Sequence, residues 1–209
     1  MEIKSRLRQL LKESIEGNYG YHVGNLTTKS EFIGEKAFGG RSLALQGLGG
    51  ASKTGQFGAG HFLFGTKEKA EDFRKTKDRP IYKVDFGQYR MYRPSDAKEF
   101  VEGVINLTNQ LIMVPEGFAE TQEFNDVIDD LAQDLPSFGI TLSRDKIFQI
   151  TKGFVEDVTE MKNPKSDYLI TRYLKSMGYE GLDLRNTPYD SYYIGSVIYD
   201  LKPNTVSEA

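Results

Sequence analysis

Apolar residues at positions 3, 7, 10, 11 and 15 recur at helical spacing, which predicts an amphipathic helix over 2–16, closed by Gly17-Asn18. Tyr21–Val23 reads as a short strand. Residues 34–60 are rich in glycine and read as a long ligand-shaping loop. The run 61–64 predicts a buried strand, and 67–76 a charged helix with Ala70 and Phe73 on one face. Residues 80–86 alternate as a strand does, and 88–93 extend or partner it. Ser95 is placed to cap a helix reaching about Asn109. Further helices are predicted over 121–135, 143–159 and Ser166–Met177, the last stopped by Gly178. Gly181–Leu184 and Tyr192–Leu201 read as strands, and the polar tail after Pro203 as frayed.

Strand-rich ends surround a helical middle with no regular βαβ alternation, so the fold class expected is α+β in place of a doubly wound sheet. The 209 residues are read as one domain. Residues 1–94 and 166–203 form its core, and 95–165 a helical insertion. With 38% hydrophobic and 12% aromatic residues, a substantial core can form. The net charge of −3 is too small for a global field toward nucleic acid or a membrane. The chain has no cysteine, which excludes disulfides, thiolate metal sites and a cysteine nucleophile. Two histidines make a histidine-ligated metal unexpected, so no metal site is assigned. No run reaches the ~18 apolar residues of a membrane span, and the first residues lack a signal-peptide core, so a cytoplasmic protein without a membrane partner is expected. Between Glu116 and Asp134 lie seven acidic side chains and no basic one. This is either a solvated helix face or a surface for a partner, including a mimic of nucleic acid.

The stretch Gly47-Leu-Gly-Gly-Ala-Ser-Lys53-Thr54 approaches a phosphate loop but carries Ser52 where that loop needs glycine before its lysine. It reads as a flexible glycine-rich loop. The only two histidines fall in Gly20-Tyr21-His22-Val23-Gly24 and in Gly58-Ala-Gly60-His61-Phe62-Leu63-Phe64, the second block followed by Ala70 and Phe73. Taken alone, His22 reads more readily as a hydrogen-bonded strand histidine. A third block, Met177-Gly-Tyr-Glu-Gly-Leu-Asp-Leu184, precedes the last predicted strand.

In this order the three blocks resemble the ADP-ribosyltransferase superfamily, particularly its small phage and bacterial members and its poly-ADP-ribose polymerase-like branch. The resemblance covers 20–24, 58–73 and 177–200 and is silent on 95–165. It implies a split β-sheet core with NAD as co-substrate. In it His22 holds the ribose hydroxyls, and Tyr21 and Gly24 form the rest of that block. Gly60, Phe62 and Phe73 form a wall around nicotinamide, and Arg41 or Lys53 meets the pyrophosphate. The family's catalytic glutamate is absent: no Glu occurs between Glu180 and Glu208. Asp190 is the nearest acid and is assigned, with His22, to catalysis. Ser191 is the residue that otherwise occupies the glutamate position, and Asp200 and Glu180 are weaker alternatives. The function implied is mono-ADP-ribosyl transfer to a macromolecule, expected to be a host protein acted on by a phage-encoded enzyme, with a nucleic-acid target left open. The alternatives are an inactive member of the fold that serves as a binding, anti-defence or virion protein, and a structural protein in which all three blocks are packing.

Overall fold

The protein is described from a computed structural model, which covers residues 18–24, 61–74, 79–100, 102–103, 116–159, 169–185, 187 and 196–209. Its strands are β1 (Tyr19–Val23), β2 (His61–Leu63), β3 (Ile81–Asp85), β4 (Met91–Tyr92), β5 (Gly181–Asp183), β6 (Ser196–Ile198) and β7 (Val206–Glu208). Its helices are α1 (Lys67–Arg74), α2 (Ala97–Phe100), α3 (Gln122–Asp134), α4 (Arg144–Thr159) and α5 (Leu169–Ser176). The α+β expectation therefore holds. The predicted helix over 2–16 and the glycine-rich 34–60 lie outside the described residues.

The strands form two sheets. One has the order β1-β3-β7 with antiparallel pairs; the other has the order β2-β6-β5-β4, in which only β4 and β5 run parallel. A pair of backbone hydrogen bonds between Tyr21 and Phe64, 2.9 and 2.8 Å, ties β1 to the end of β2 and so joins the sheets at one edge.

Side chains alternate across a strand, and here the alternation decides which layer each residue joins. Phe62, Val197, Leu182 and Tyr92 are in register across the four-stranded sheet and pack into one core with α2, α3, α4 and α5. The next row, Leu63-Ser196-Asp183, points the other way, toward the three-stranded sheet. There Leu63 and Ile198 meet Val84 and Phe86 in a second, smaller core. A third cluster of Val23, Phe64, Ala70 and Ile81 lies under α1.

Local chemistry explains the helix ends. Thr121 caps α3 by accepting from Phe124 N–H at 3.2 Å, and Phe124, Ile128 and Leu131 then fall on one buried face. Its acidic residues, Glu123, Asp126, Asp129, Asp130 and Asp134, all lie on the exposed side. After α5 the chain reverses at Gly178 with φ 79°, where Tyr179 N–H bonds to Leu174 C=O at 3.0 Å and Gly178 N–H to Lys175 C=O at 2.9 Å. Only a residue comfortable in the left-handed region completes such a stop.

Three expectations are corrected. Residues 91–92 neither extend nor partner the 81–85 strand: a turn of 3-10 helix at Phe86–Gln88 redirects the chain, and β4 pairs with β5 in the other sheet. The cap of α2 is Asp96, whose carboxylate accepts from Glu99 N–H at 2.9 Å, and not Ser95. The tail after Pro203 is not frayed. Thr205 bonds through its hydroxyl to that of buried Tyr89 at 2.7 Å, and β7 then fills the open edge of β3.

Candidate functional site

The two histidines meet at the seam between the sheets. His22 alternates with Tyr21 and Val23, which pack beneath α1, so its ring turns toward the four-stranded sheet. His61 shares the inward face of β2 with Leu63. The ring centroids lie 6.1 Å apart, edge to face. His22 Nδ1 donates to the carbonyl oxygen of Phe62 at 2.9 Å. A carbonyl can only accept, so the proton of neutral His22 sits on Nδ1 and its Nε2 carries the lone pair. His61 is 6% exposed, and its Nε2 has no hydrogen-bond partner among the described residues. An unmet buried polar atom costs about 1–3 kcal/mol.

Both rings stay neutral near pH 7. Burial lowers the His22 pKa below its usual value; the Phe62 carbonyl opposes that shift, and the positive charge of Arg79 adds to it. Burial, reinforced by His22, takes His61 down to about 4, against a small pull upward from Asp200. The pair is therefore a set of hydrogen-bonding groups and not a source of positive charge.

The other candidates divide. Tyr21 is half-buried against the cluster beneath α1, and its backbone forms the bridge to Phe64. Gly24, buried with φ 128°, follows β1; its N–H bonds to Pro80 C=O at 3.0 Å. A Cβ built there would lie 3.7 Å from His22 Nε2. Phe62 and Phe73 do not share one slot as the nicotinamide wall required. Phe62 turns to the helical core on the far face of its sheet, whereas Phe73 packs on Phe64 beneath α1 at 5.2 Å. The cause is strand alternation: His61 takes the inward position and Phe62 the outward one. Asp190, Ser191, Arg41, Lys53 and Gly60 lie outside the described residues. Of the alternative acids, Asp200 pairs with Lys175 at 3.1 Å on the surface. Glu180 accepts from Lys202 at 2.8 Å and from Arg90 N–H at 2.9 Å, and the Lys202 ammonium holds its carboxyl below the usual range. Both serve to pin loops.

Sequence reasoning missed two groups. Arg79 stands beside His22 at the entrance to β3, where nothing in the sequence marks it. Asp183 is the hub of a buried ionic cluster. Arg185 grips it through Nε and Nη2, each at 2.9 Å; Arg93 Nε donates at 2.8 Å and Ser196 Oγ at 3.1 Å. Burial pushes the Asp183 carboxyl up, but Arg185 first and then Arg93 outweigh it and hold it at about 2. Arg185 also donates to Tyr19 C=O at 3.1 Å and stacks over Phe86, so the cluster fastens one sheet to the other. The spacing Asp183-Leu184-Arg185, which puts both charges on one face of a strand, was the available signal. Among the described residues no group of three His, Cys, Asp or Glu is arranged to hold a metal, and no helix is long and apolar enough to cross a membrane.

Comparisons with protein-family models, with curated proteins and with solved structures find no match for this chain.

Proposed function

We propose that this protein binds NAD at the histidine seam and is a mono-ADP-ribosyltransferase acting on a macromolecule. The observation that carries the reading is the meeting of the two histidine blocks, 40 residues apart along the chain at the His22–Phe62 hydrogen bond. Two sheets joined at one edge, with the 177–184 block supplying β5, fit the split core that the three-block resemblance implies. His22, with its lone pair on Nε2, suits a ribose hydroxyl that donates to it. In the reaction the bond from ribose C1′ to nicotinamide breaks, nicotinamide leaves with the electron pair, and a nucleophile on the target bonds to C1′ as it loses its proton. Positive charge builds on the ribose as the bond breaks, which a carboxylate stabilises; this reading gives that role to Asp190.

A second reading, NAD binding without transfer, is favoured by the lack of any Glu between 180 and 208 and by the use of Glu180 as a loop anchor. Nicotinamide release from NAD, with a cell lysate as acceptor, separates the two. Transfer predicts release by the wild type, a raised KM in His22→Ala, and loss of release with binding retained in Asp190→Ala. Binding without release supports the second reading. A folded protein that neither binds nor consumes NAD sinks both.

A further inference from the structure

Arg79 is exposed, and it forms no ion pair among the described residues. The Gly24–Pro80 backbone hydrogen bond fixes its place next to β1. A Cβ at Gly24 would sit 3.7 Å from His22 Nε2 and 3.9 Å from both Cδ and Nη1 of Arg79. The histidine lone pair and the guanidinium therefore stand beside the same glycine, which has no side chain between them and solvent. Neither imidazole is charged near neutrality, so the positive charge shown at this glycine is that of Arg79.

We propose that Arg79 is the anion-binding residue of the histidine seam and selects ligands that carry phosphate next to a ribose, as in a nucleoside diphosphate. The proposal rests on the nucleotide reading above and gives it a phosphate subsite. A guanidinium with no carboxylate partner among the described residues has its forked donors turned to solvent, and phosphate matches that fork with two parallel hydrogen bonds. His22 Nε2 bears a lone pair and repels an anion, so it is suited to a hydroxyl in place of the phosphate itself. The two groups therefore sort the ligand by polarity, hydroxyl on the histidine and phosphate on the arginine. Arg79 is solvent-exposed and can meet a ligand without displacing buried packing.

The test is calorimetric titration of wild type, Arg79→Gln and Arg79→Lys with ADP-ribose and with inorganic pyrophosphate, at several salt concentrations. Losing a charge-assisted pair predicts that Arg79→Gln weakens both ligands by roughly 10- to 100-fold. It also predicts a flatter salt dependence and an unchanged melting temperature, with Arg79→Lys recovering part of the loss. A merely structural arginine would not change the salt dependence. The proposal is overturned if Arg79→Gln binds both ligands as tightly as wild type, and a simultaneous loss in His22→Ala would then leave the nucleotide reading standing. Wild-type binding of pyrophosphate through Arg79 without ADP-ribose binding would keep the anion site and remove the nucleotide reading. Binding of neither ligand by the wild type removes both.

Discussion

Under the helices the buried side chains are almost all apolar, whereas between the two sheets they are not. The helical core runs from Tyr92 and Phe100 through Phe124, Ile128 and Leu131 to Tyr173 and Val197. Two of its buried polar side chains answer each other: the Thr151 hydroxyl donates to Ile147 C=O at 2.7 Å and lies 2.7 Å from the Tyr173 hydroxyl. The seam buries His61, Asp183 and Ser196 beside a short list of apolar residues. There His61 Nε2 has no hydrogen-bond partner among the described residues, and Arg185 and Arg93 hold the Asp183 carboxyl below its usual range. Burying polar groups is costly unless each is paired. The contrast sets an apolar region built for stability against a polar one that carries the proposed binding site.

The contrast can be broken most forcefully in the helical core. Phe124→Ala removes a fully buried ring that packs on Phe118 and Phe148. It should cost about 3–5 kcal/mol in denaturant unfolding, while ligand affinity per folded molecule stays at the wild-type value. A loss of affinity in the fraction still folded would tie the two regions together.

Acid should act on the seam instead. The folded pKa of His61, about 4, lies below its ordinary 6.5, so the unfolded chain takes up the proton first. Stability from this group is complete above pH 6.5 and is lost as the pH falls toward 4, by about 3 kcal/mol in all. Asp183 follows: its carboxyl, held at about 2 against an ordinary 3.8, gives up its share only below pH 4. Unfolding free energies measured between pH 7 and 4 should show the first step in wild type and a smaller one, left by the lowered pKa of His22, in His61→Gln.

A smaller effect comes from Gly20, which packs without a side chain against Phe86 and Leu63. A Cβ there would stand 2.5 Å from the Phe86 ring and 3.0 Å from Leu63 Cβ. Gly20→Ala should destabilise by about 1–3 kcal/mol. Unlike Phe124→Ala, it should also weaken nucleotide binding, because it forces apart the layers that bring His22 to Phe62. Unaltered binding in a destabilised Gly20→Ala would show that the histidine contact survives a shift of the sheets.

The long amphipathic helices were legible because their period repeats over several turns: α3, α4 and α5 each lie within the predicted stretches. The two histidines were legible as motifs because glycine and aromatic residues frame them. Their meeting was not, since β2 has only three residues and the run His61-Phe62-Leu63-Phe64 shows no polar–apolar alternation to orient it. That is why the expected wall was placed on Phe62 when the inward residue is His61. Pairings such as β4 with β5 join residues some 90 positions apart and follow from register, which a local pattern does not carry. Arg79 sits alone in a charged stretch, and only the Gly24–Pro80 bond puts it beside a histidine from another strand.

The pairing of β2 has a consequence in time. Its ladder partner, β6, is made about 135 residues later, and β3 takes its second neighbour, β7, from residues 206–208. As the polypeptide emerges from the ribosome, the helices of the middle segment can form from contacts near in sequence, whereas His61 has no ladder to sit in until residues 196–198 exist. Contacts of such long range form slowly. A chain interrupted before residue 196 therefore has the Tyr21–Phe64 bridge between the two histidine strands but lacks the β6 ladder that completes the sheet around His61.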